Sequence, residues 1–304
     1  MQKQAAMTSF EWALLLILSV LWGGAFFFSK VALAEVPPLT VVLARVGLAA
    51  LALAIYLRVI GAKIPRSKEV WLAFFGMGLI NNLIPFSLIF WGQTQIASGL
   101  ASIINATTPV FSILVAHFLT ADEKMNGNKI AGIALGIAGV AVLMGPRALL
   151  NDGPPLIAML ACLAAALSYG FASVFGRRFK RMNVAPAVVA FGQVTATTLM
   201  MIPIVALIDA PWNLAMPSAV TFCALASLAL LSTALAYVIF FRILSGGGAL
   251  NVSLVTLLIP VSAILLGSLI LHERLEANHF GGMALIALGL IAIDGRLWRM
   301  LVKP

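Results

Sequence analysis

The chain has 304 residues, of which 62% are hydrophobic and only 10% are charged. Soluble domains carry about 25% charged residues, so this composition excludes an ordinary water-soluble fold and predicts an all-α integral membrane protein. The net charge of +9 would suggest a nucleic-acid partner for a soluble protein, but basic residues beside apolar segments favour one face of a lipid bilayer instead.

Apolar segments, each about long enough to cross a bilayer, follow one another along almost the whole chain. The first half contains predicted helices at 11–31, 38–59, 70–92, 97–119 and 129–146. The second half contains predicted helices at 155–176, 184–207, 218–241, 247–271 and 278–297. We therefore predict ten transmembrane helices joined by short connections.

The basic residues predict the orientation of these helices. If the amino terminus is cytoplasmic, the inner side collects Lys63 and the basic run 177–181, whereas few basic residues, such as Lys30, Arg147 and Arg274, lie outside. Short loops rich in Lys and Arg favour the cytoplasmic side. Both termini are therefore predicted to be cytoplasmic, in a bacterial inner membrane.

The two halves contain an internal repeat. The run SIINATTPVFSILVAHFLTADEK, from Ser102, aligns with SLVTLLIPVSAILLGSLILHER, from Ser253, and places Pro109 over Pro260, 151 positions later. The predicted copies are 10–146 and 155–297. Because five helices is an odd number, the second copy enters the membrane from the opposite side, which predicts two inverted five-helix repeats around a central cavity.

These residues carry a resemblance to a known family. Arg45, TTPVFSILVAHFLTADE, KIAGIALGIAGVAVLMG, IPVSAILLGSLILHERLE and GGMALIALGLIAI resemble two EamA domains of the drug/metabolite transporter superfamily. In length and character the chain is most similar to bacterial aromatic amino-acid exporters of the YddG type. The resemblance implies a membrane exporter with a small-molecule substrate, no nucleic-acid partner and no cofactor.

Polar side chains in the predicted helices indicate where a substrate would bind, because such side chains usually face the protein interior. On the fourth helix one polar face is formed by Ser98, Ser102, Asn105, Thr108 and Ser112. We predict that this face lines the cavity. The alternative is helix packing, since Ser and Thr also bond neighbouring helices.

The repeat pairs several of these polar positions. It sets Asn105 over Thr256, and it sets Asn81 and Asn82 over Ser232 and Thr233. Polar side chains at matched depths in the two halves predict two sides of one substrate site. Interhelical hydrogen bonding is the alternative explanation.

Aromatic side chains on related helix faces form a second group of candidates. They are Trp22, Phe26, Phe86, Tyr169 and Tyr237. Their rings would suit a planar apolar substrate group, although aromatic residues in membrane helices also pack or face lipid.

Proline residues predict positions of bending. Pro109 and Pro260 interrupt the hydrogen-bond ladders of their helices at matched positions, which makes them hinge candidates. A static kink needed for packing is the alternative.

Arg45 is the basic residue that lies far from a predicted helix end. It would suit a substrate carboxylate, but because the family resemblance implies this arginine whatever the substrate, we favour structural pairing or snorkelling. Glu123 and Glu273, beside Lys124 and Arg274, are interpreted as local ion pairs at helix ends.

The mechanism follows from the ionisable residues. No predicted helix has an Asp or Glu near its middle, and His117 is interpreted as the one histidine within a helix. Since intramembrane carboxylates commonly carry protons, we predict a downhill facilitator or exchanger. The alternatives are a proton-coupled antiporter, or a transporter of drugs, purine-like compounds or sugars.

An intramembrane enzyme is disfavoured. The stretch from Ile96 to Gly99 lacks the first glycine of a GxSG nucleophile motif. The cysteines Cys162 and Cys223 lie in apolar segments and indicate neither a disulfide nor a metal site.

Small residues predict which helices pack closely. The fifth helix carries Gly132, Gly136 and Gly139, and the tenth carries Gly282 and Gly289. Such glycines allow close helix approach, so these two helices are predicted to pack within one chain. A monomer is sufficient for this packing, and a dimer is left open.

Overall fold

The computed structural model describes residues 8–121, 125, 127–149, 156–243 and 255–294. Eight helices in these ranges are long and apolar enough to cross a membrane: α1 Ser9–Ala32, α2 Pro38–Val59, α3 Lys68–Gln93, α4 Ser98–Leu119, α5 Gly127–Gly145, α6 Leu156–Arg181, α7 Pro186–Ile208 and α8 Ala219–Ile243. Two shorter apolar helices follow, α9 Val255–Ile270 and α10 Ala277–Ile293. The prediction of a helical membrane protein is confirmed, whereas membrane crossing by α9 and α10 stays a prediction.

Local sequence signals explain where several helices begin. Thr8 and Glu11 form a capping box at the start of α1, in which Glu11 accepts from the Thr8 N–H at 2.8 Å and Thr8 accepts from the Glu11 N–H at 3.2 Å. Helices α2 and α7 both begin with a proline, Pro38 and Pro186. Proline suits this position because its fixed φ is helical and its missing N–H would have no partner there.

Helix α6 extends further than its predicted end at 176. A short basic helix, Arg177–Arg181, continues it. Basic side chains near a helix carboxyl terminus are stabilised by the helix dipole, which explains the added turn. The predicted bounds of the last two helices, 247–271 and 278–297, extend beyond the described residues.

Helices α5 and α10 pack directly against each other, as their glycines predicted. A β-carbon placed on Gly132 would lie 2.5 Å from the Gly289 carbonyl oxygen, and one on Gly139 would lie 2.8 Å from the Gly282 carbonyl oxygen. Real β-carbons do not approach so closely, so these positions require glycine. The predicted packing of these two helices is confirmed.

The largest of the remaining helix contacts join the two halves. Helix α1 packs against α8 and α9, helix α6 packs against α3 and α4, and α2 packs against α7. If each helix is exchanged for its predicted repeat equivalent, these contacts map onto one another. The helices of the two halves are therefore interleaved rather than separated into two bodies.

Two helices widen locally into π-helix. In α3 this segment is Leu79–Leu83, and in α8 it is Leu230–Leu235. The first contains Asn81 and Asn82, and the second contains Ser232 and Thr233, which are the pairs that the repeat aligns. Single-turn π segments often occur at functional sites, because they redirect side chains within a helix.

The matched prolines differ in their local effect. Pro109 lies in the first turn after a break at Ala106 and Thr107, which divides α4 into two helical pieces. Pro260 lies within the continuous helix α9. The break predicted at Pro109 is present, and hinge motion at either proline stays a prediction.

Acidic side chains cap helix amino termini across the two halves at one end of the bundle. Glu35 accepts from the Ser218 N–H at 2.6 Å and from its hydroxyl at 2.7 Å, at the start of α8. Asp209 accepts from the Thr40 N–H at 2.8 Å in the first turn of α2. The Ser218 hydrogen bonds hold the pKa of the exposed Glu35 carboxyl below its usual range.

Glu273 caps a third helix amino terminus, that of α4, at the same end of the bundle. It accepts from the Ser98 N–H at 2.8 Å, from the Ser98 hydroxyl at 2.8 Å and from the Gly99 N–H at 3.2 Å. The interpretation of Glu273 as a local ion pair with Arg274 was therefore wrong, because the free N–H groups of α4 attract the carboxylate more directly. The equivalent pair, Glu123 and Lys124, lies outside the described residues.

Candidate functional site

Arg45 lies at the centre of the candidate site. Its side chain is only 8% exposed, and its Nε donates to Thr233 Oγ1 at 2.9 Å. The guanidinium carbon lies 3.8 Å from the centre of the Phe86 ring, so one face of the cation is covered by an aromatic ring. Arg45 therefore pairs with the middle of α8 and does not snorkel towards a helix end.

Two tyrosines face this cation. The guanidinium interacts electrostatically with the side chains of Tyr169 on α6 and Tyr237 on α8. The Tyr237 hydroxyl also lies beside the side-chain amides of Asn81 and Gln193. Five helices, α2, α3, α6, α7 and α8, thus contribute to one buried cluster, which we call the Arg45 cluster.

Amide side chains of the first π segment bond to α7. Asn81 Nδ2 donates to Gln193 Oε1 at 2.9 Å, and Asn82 Nδ2 donates to Thr197 Oγ1 at 3.3 Å. Thr197 in turn donates to the backbone oxygens of Gly78 and Gln193, at 3.0 and 2.8 Å. These bonds match the interhelical alternative for Asn81 and Asn82, but they use only part of the amide groups.

Three predicted site residues keep a buried oxygen without a hydrogen-bond partner among the described residues. They are Asn82, through Oδ1, Asn105, through Oδ1, and Ser232, through Oγ. A buried polar atom with no partner costs free energy, so it usually indicates a bound water, an ion or a ligand. The sequence therefore placed candidates where the interior has unused hydrogen-bonding capacity.

Three other hydroxyls of the α4 face already have hydrogen-bond partners within the protein. Ser102 donates to the Gly99 carbonyl oxygen at 2.6 Å, and Thr108 donates to that of Asn105 at 2.7 Å. Ser98 bonds Glu273. For these three residues the packing alternative explains the contacts, whereas Asn105 keeps an oxygen free for other partners. Thr256, the predicted partner of Asn105 in the repeat, lies half-buried in the first turn of α9.

The aromatic candidates divide into two groups. Phe86 stacks with Phe90 at 6.2 Å between ring centres, and Tyr237 stacks with Phe241 at 6.1 Å, both beside Arg45. Trp22 instead contacts Phe240 at 5.5 Å. Phe26 is buried in the core, and its backbone oxygen accepts from Gln93 at 2.8 Å.

A cavity of about 300 Å³ is lined in part by Tyr237, which belongs to the Arg45 cluster. Its lining is formed by Leu53, Tyr56, Ala187, Ala190, Tyr237, Val238, Phe241 and Arg242. These residues belong to α2, α7 and α8. The cavity lies towards the helix ends that carry Tyr56 and Arg242, opposite the end capped by Glu35 and Asp209.

Sequence reasoning missed Gln193 and Thr197 as members of this site. A signal was available, because aligning Pro38 with Pro186 places Gln193 at the position equivalent to Arg45, 148 residues later. An uncharged amide in an apolar segment is a weaker signal than a charge, so the residue was overlooked. Similarly, His279 also lies within a helix, in the first turn of α10, which corrects the statement that His117 is the one such histidine.

His117 lies near the end of α4 rather than in the Arg45 cluster. Its Nδ1 accepts from the Met125 backbone N–H at 3.1 Å. This contact joins the end of α4 to Met125.

The fold is that of a polytopic helical membrane protein with a polar and aromatic cluster in its interior, an arrangement typical of small-molecule transporters. The model of the EamA-like transporter family matches residues 10–145 and 156–293, and the chain belongs to this family. The family resemblance found in the sequence is confirmed.

Known proteins support this assignment along the whole chain. The chain is 31% identical to the uncharacterized transporter YoaV of Bacillus subtilis, over 90% of this chain and 92% of the relative. It is 29% identical to a probable amino-acid metabolite efflux pump of Escherichia coli, over 95% and 97% of the two chains. A solved crystal structure shares the fold, with a TM-score of 0.69, 22% identity and coverage of 98% and 100%.

Proposed function

We propose that this transporter exports small zwitterionic metabolites, specifically amino acids with aromatic or other apolar side chains, across a bacterial inner membrane. The observation that carries the proposal is the Arg45 cluster, where an aromatic ring lies against a buried cation. Buried oxygens of Asn82, Asn105 and Ser232, which have no partner among the described residues, support it. An amino acid offers both an apolar group for the rings and charged groups for the polar atoms. The Escherichia coli relative named as a probable amino-acid metabolite efflux pump agrees with this substrate class.

The polar atoms suit the ammonium group of such a substrate. Asn82 Oδ1 and Asn105 Oδ1 are buried acceptors on α3 and α4. An ammonium group has three donors and no acceptor, so it complements amide oxygens. Phe86 and Tyr237 would then contact the apolar part of the substrate.

Alternating access is supported by the difference between the two ends of the bundle. Carboxylates link the two halves at one end, through Glu35 with Ser218 and Asp209 with Thr40. The cavity lies towards the opposite end, where Tyr56 and Arg242 are predicted to be cytoplasmic. We therefore propose that this state is open to the inside and closed to the outside, with both termini cytoplasmic.

Transport is proposed to be downhill or by exchange, because no Asp or Glu lies near the middle of a predicted helix. Proton-coupled antiport is the alternative. A monomer is sufficient for this mechanism and a dimer is left open, and the inverted five-helix repeats 10–146 and 155–297 would share the rocking or gating motion.

Counterflow of labelled substrates into proteoliposomes without an ion gradient tests the proposal. We expect exchange of phenylalanine and tryptophan that exceeds exchange of threonine and of a quaternary ammonium dye. Asn82→Ala and Asn105→Ala should each lower phenylalanine exchange about tenfold, since each removes a buried acceptor for a charged group. Asn213→Ala is the matched control, because this amide is exposed in the short helix Pro211–Asn213.

A second set of results would contradict the proposal. If no amino acid is exchanged and the dye is transported only under a pH gradient, the substrate class and the uncoupled mechanism are both wrong. The protein would then be a proton-coupled drug exporter of the same family.

A further inference from the structure

Arg45 carries a charge that the described residues do not compensate. The guanidinium is buried, yet its electrostatic neighbours are the phenols Tyr169 and Tyr237, which are uncharged near neutral pH. The described carboxylates lie at helix ends and in loops, as Glu35, Asp209 and Glu273 illustrate. A buried cation without an anion is costly, because the protein interior replaces little of its hydration.

The geometry leaves one edge of the cation available. Nε is used by Thr233, whose own hydroxyl donates to the Leu228 backbone oxygen at 2.9 Å. This bond is the single hydrogen bond that Arg45 makes within the described part of the chain, and Phe86 covers one face of the guanidinium. The two terminal nitrogens therefore have no hydrogen-bond partner among the described residues, and they have the spacing that binds a carboxylate through two parallel hydrogen bonds.

A cavity lies beside one member of the Arg45 cluster. Tyr237 faces the guanidinium and also lines the 300 Å³ cavity. This volume lies at the lower end of the range for small-molecule sites, which suits a small metabolite.

We propose that Arg45 binds the carboxylate of the transported molecule, with Thr233 and Phe86 holding the guanidinium in position. This inference rests on the proposed function and assigns the residue that recognises the anionic group of the substrate. A single cation matches a monoanionic carboxylate, whereas a phosphate dianion would require further basic groups. Gln193, which occupies the equivalent position in the second half, is neutral. The site is therefore expected to bind a group with a single negative charge.

Competition against labelled phenylalanine in proteoliposome counterflow tests this role. In the unmodified protein, phenylalanine should compete at least about tenfold better than phenylalaninamide, which has the same ring and ammonium group but no carboxylate. In Arg45→Gln this preference should fall to about one. Arg45→Lys should keep a reduced preference, because lysine retains the charge but not the two parallel bonds.

Arg58→Gln is the matched control, since Arg58 is exposed near the carboxyl end of α2. It should leave the preference unchanged. The assignment would be overturned if Arg45→Gln protein still preferred phenylalanine tenfold. It would also be overturned if phenylalanine and phenylalaninamide competed equally in the unmodified protein, a comparison that needs no variant. If neither compound competes in the unmodified protein, the proposed function itself fails.

Discussion

Two equivalent helix pairs meet in the interior and differ in chemistry. On one side α2 contacts the π segment of α8, and Arg45 donates to Thr233. On the other side α7 contacts the π segment of α3, and Asn81 donates to Gln193. The repeat aligns Arg45 with Gln193, and it aligns Asn81 and Asn82 with Ser232 and Thr233.

The comparison shows that two similar backbone segments carry side chains of different charge. Both π segments present polar side chains at the same depth, but one pair of helices holds a cation and the other holds neutral amides. Identical halves would place two buried arginines close together, and their repulsion in a low-dielectric interior would be large. The interior therefore has one pair that carries a positive charge and one pair that is neutral.

The largest loss of stability is expected when the hydrogen bond between Arg45 and Thr233 is removed. Thr233→Val removes the acceptor of a buried guanidinium nitrogen, so the free energy of unfolding should fall by about 1–3 kcal/mol. Unfolding of the purified protein in mixed detergent measures this change. Thr198→Val is the control, because Thr198 donates only to the Val194 oxygen of its own helix, at 2.8 Å. An equal effect at both positions would contradict the special role of the Arg45 bond.

A smaller loss of stability is expected when the hydrogen bond between Asn81 and Gln193 is removed. A double-mutant cycle of Asn81→Ala and Gln193→Ala should give a coupling of about 0.6 kcal/mol, as found for hydrogen bonds between membrane helices. The same unfolding measurement applies. Asn81→Ala combined with Asn213→Ala in the exposed loop should be additive. Coupling above about 2 kcal/mol would mean that the neutral pair resembles the charged one, and the comparison would fail.

The smallest effect on stability is expected at Ser232. Its buried oxygen has no partner among the described residues, so Ser232→Ala should leave the free energy of unfolding unchanged or raise it slightly. Its repeat equivalent, Asn81→Ala, should be destabilising because it breaks the bond to Gln193. A loss above about 1 kcal/mol in Ser232→Ala would reveal a partner for this hydroxyl and remove the asymmetry.

Much of the fold was accessible to sequence reasoning because membrane helices follow simple rules. The spacing of prolines and charges located the ends of α2 and α7, and Gly132 and Gly289 predicted the contact between α5 and α10. Errors occurred where a partner lies far away in the chain. Glu273 was assigned to its neighbour Arg274, although its partners Ser98 and Gly99 lie on α4.

The candidate site was accessible only in part. Asn81, Phe86, Tyr169 and Tyr237 were predicted and lie in the Arg45 cluster, but Ser102 and Thr108 bond their own helix. Whether a hydroxyl turns to its own backbone or to a cavity depends on side-chain rotation, which the spacing of residues does not encode.

The sequence by itself determined that the chain is a helical membrane protein and where most of its described helices lie, and it predicted which positions repeat. These properties follow from hydrophobicity and from the local geometry of the backbone, since every backbone group in lipid must be paired within a helix. The tertiary structure decided that Arg45 meets Thr233 and Phe86, that Gln193 meets Asn81, and that three polar oxygens remain without described partners. Those facts depend on how helices from both halves interleave, because burial and pairing are properties of the assembled bundle and not of any single segment.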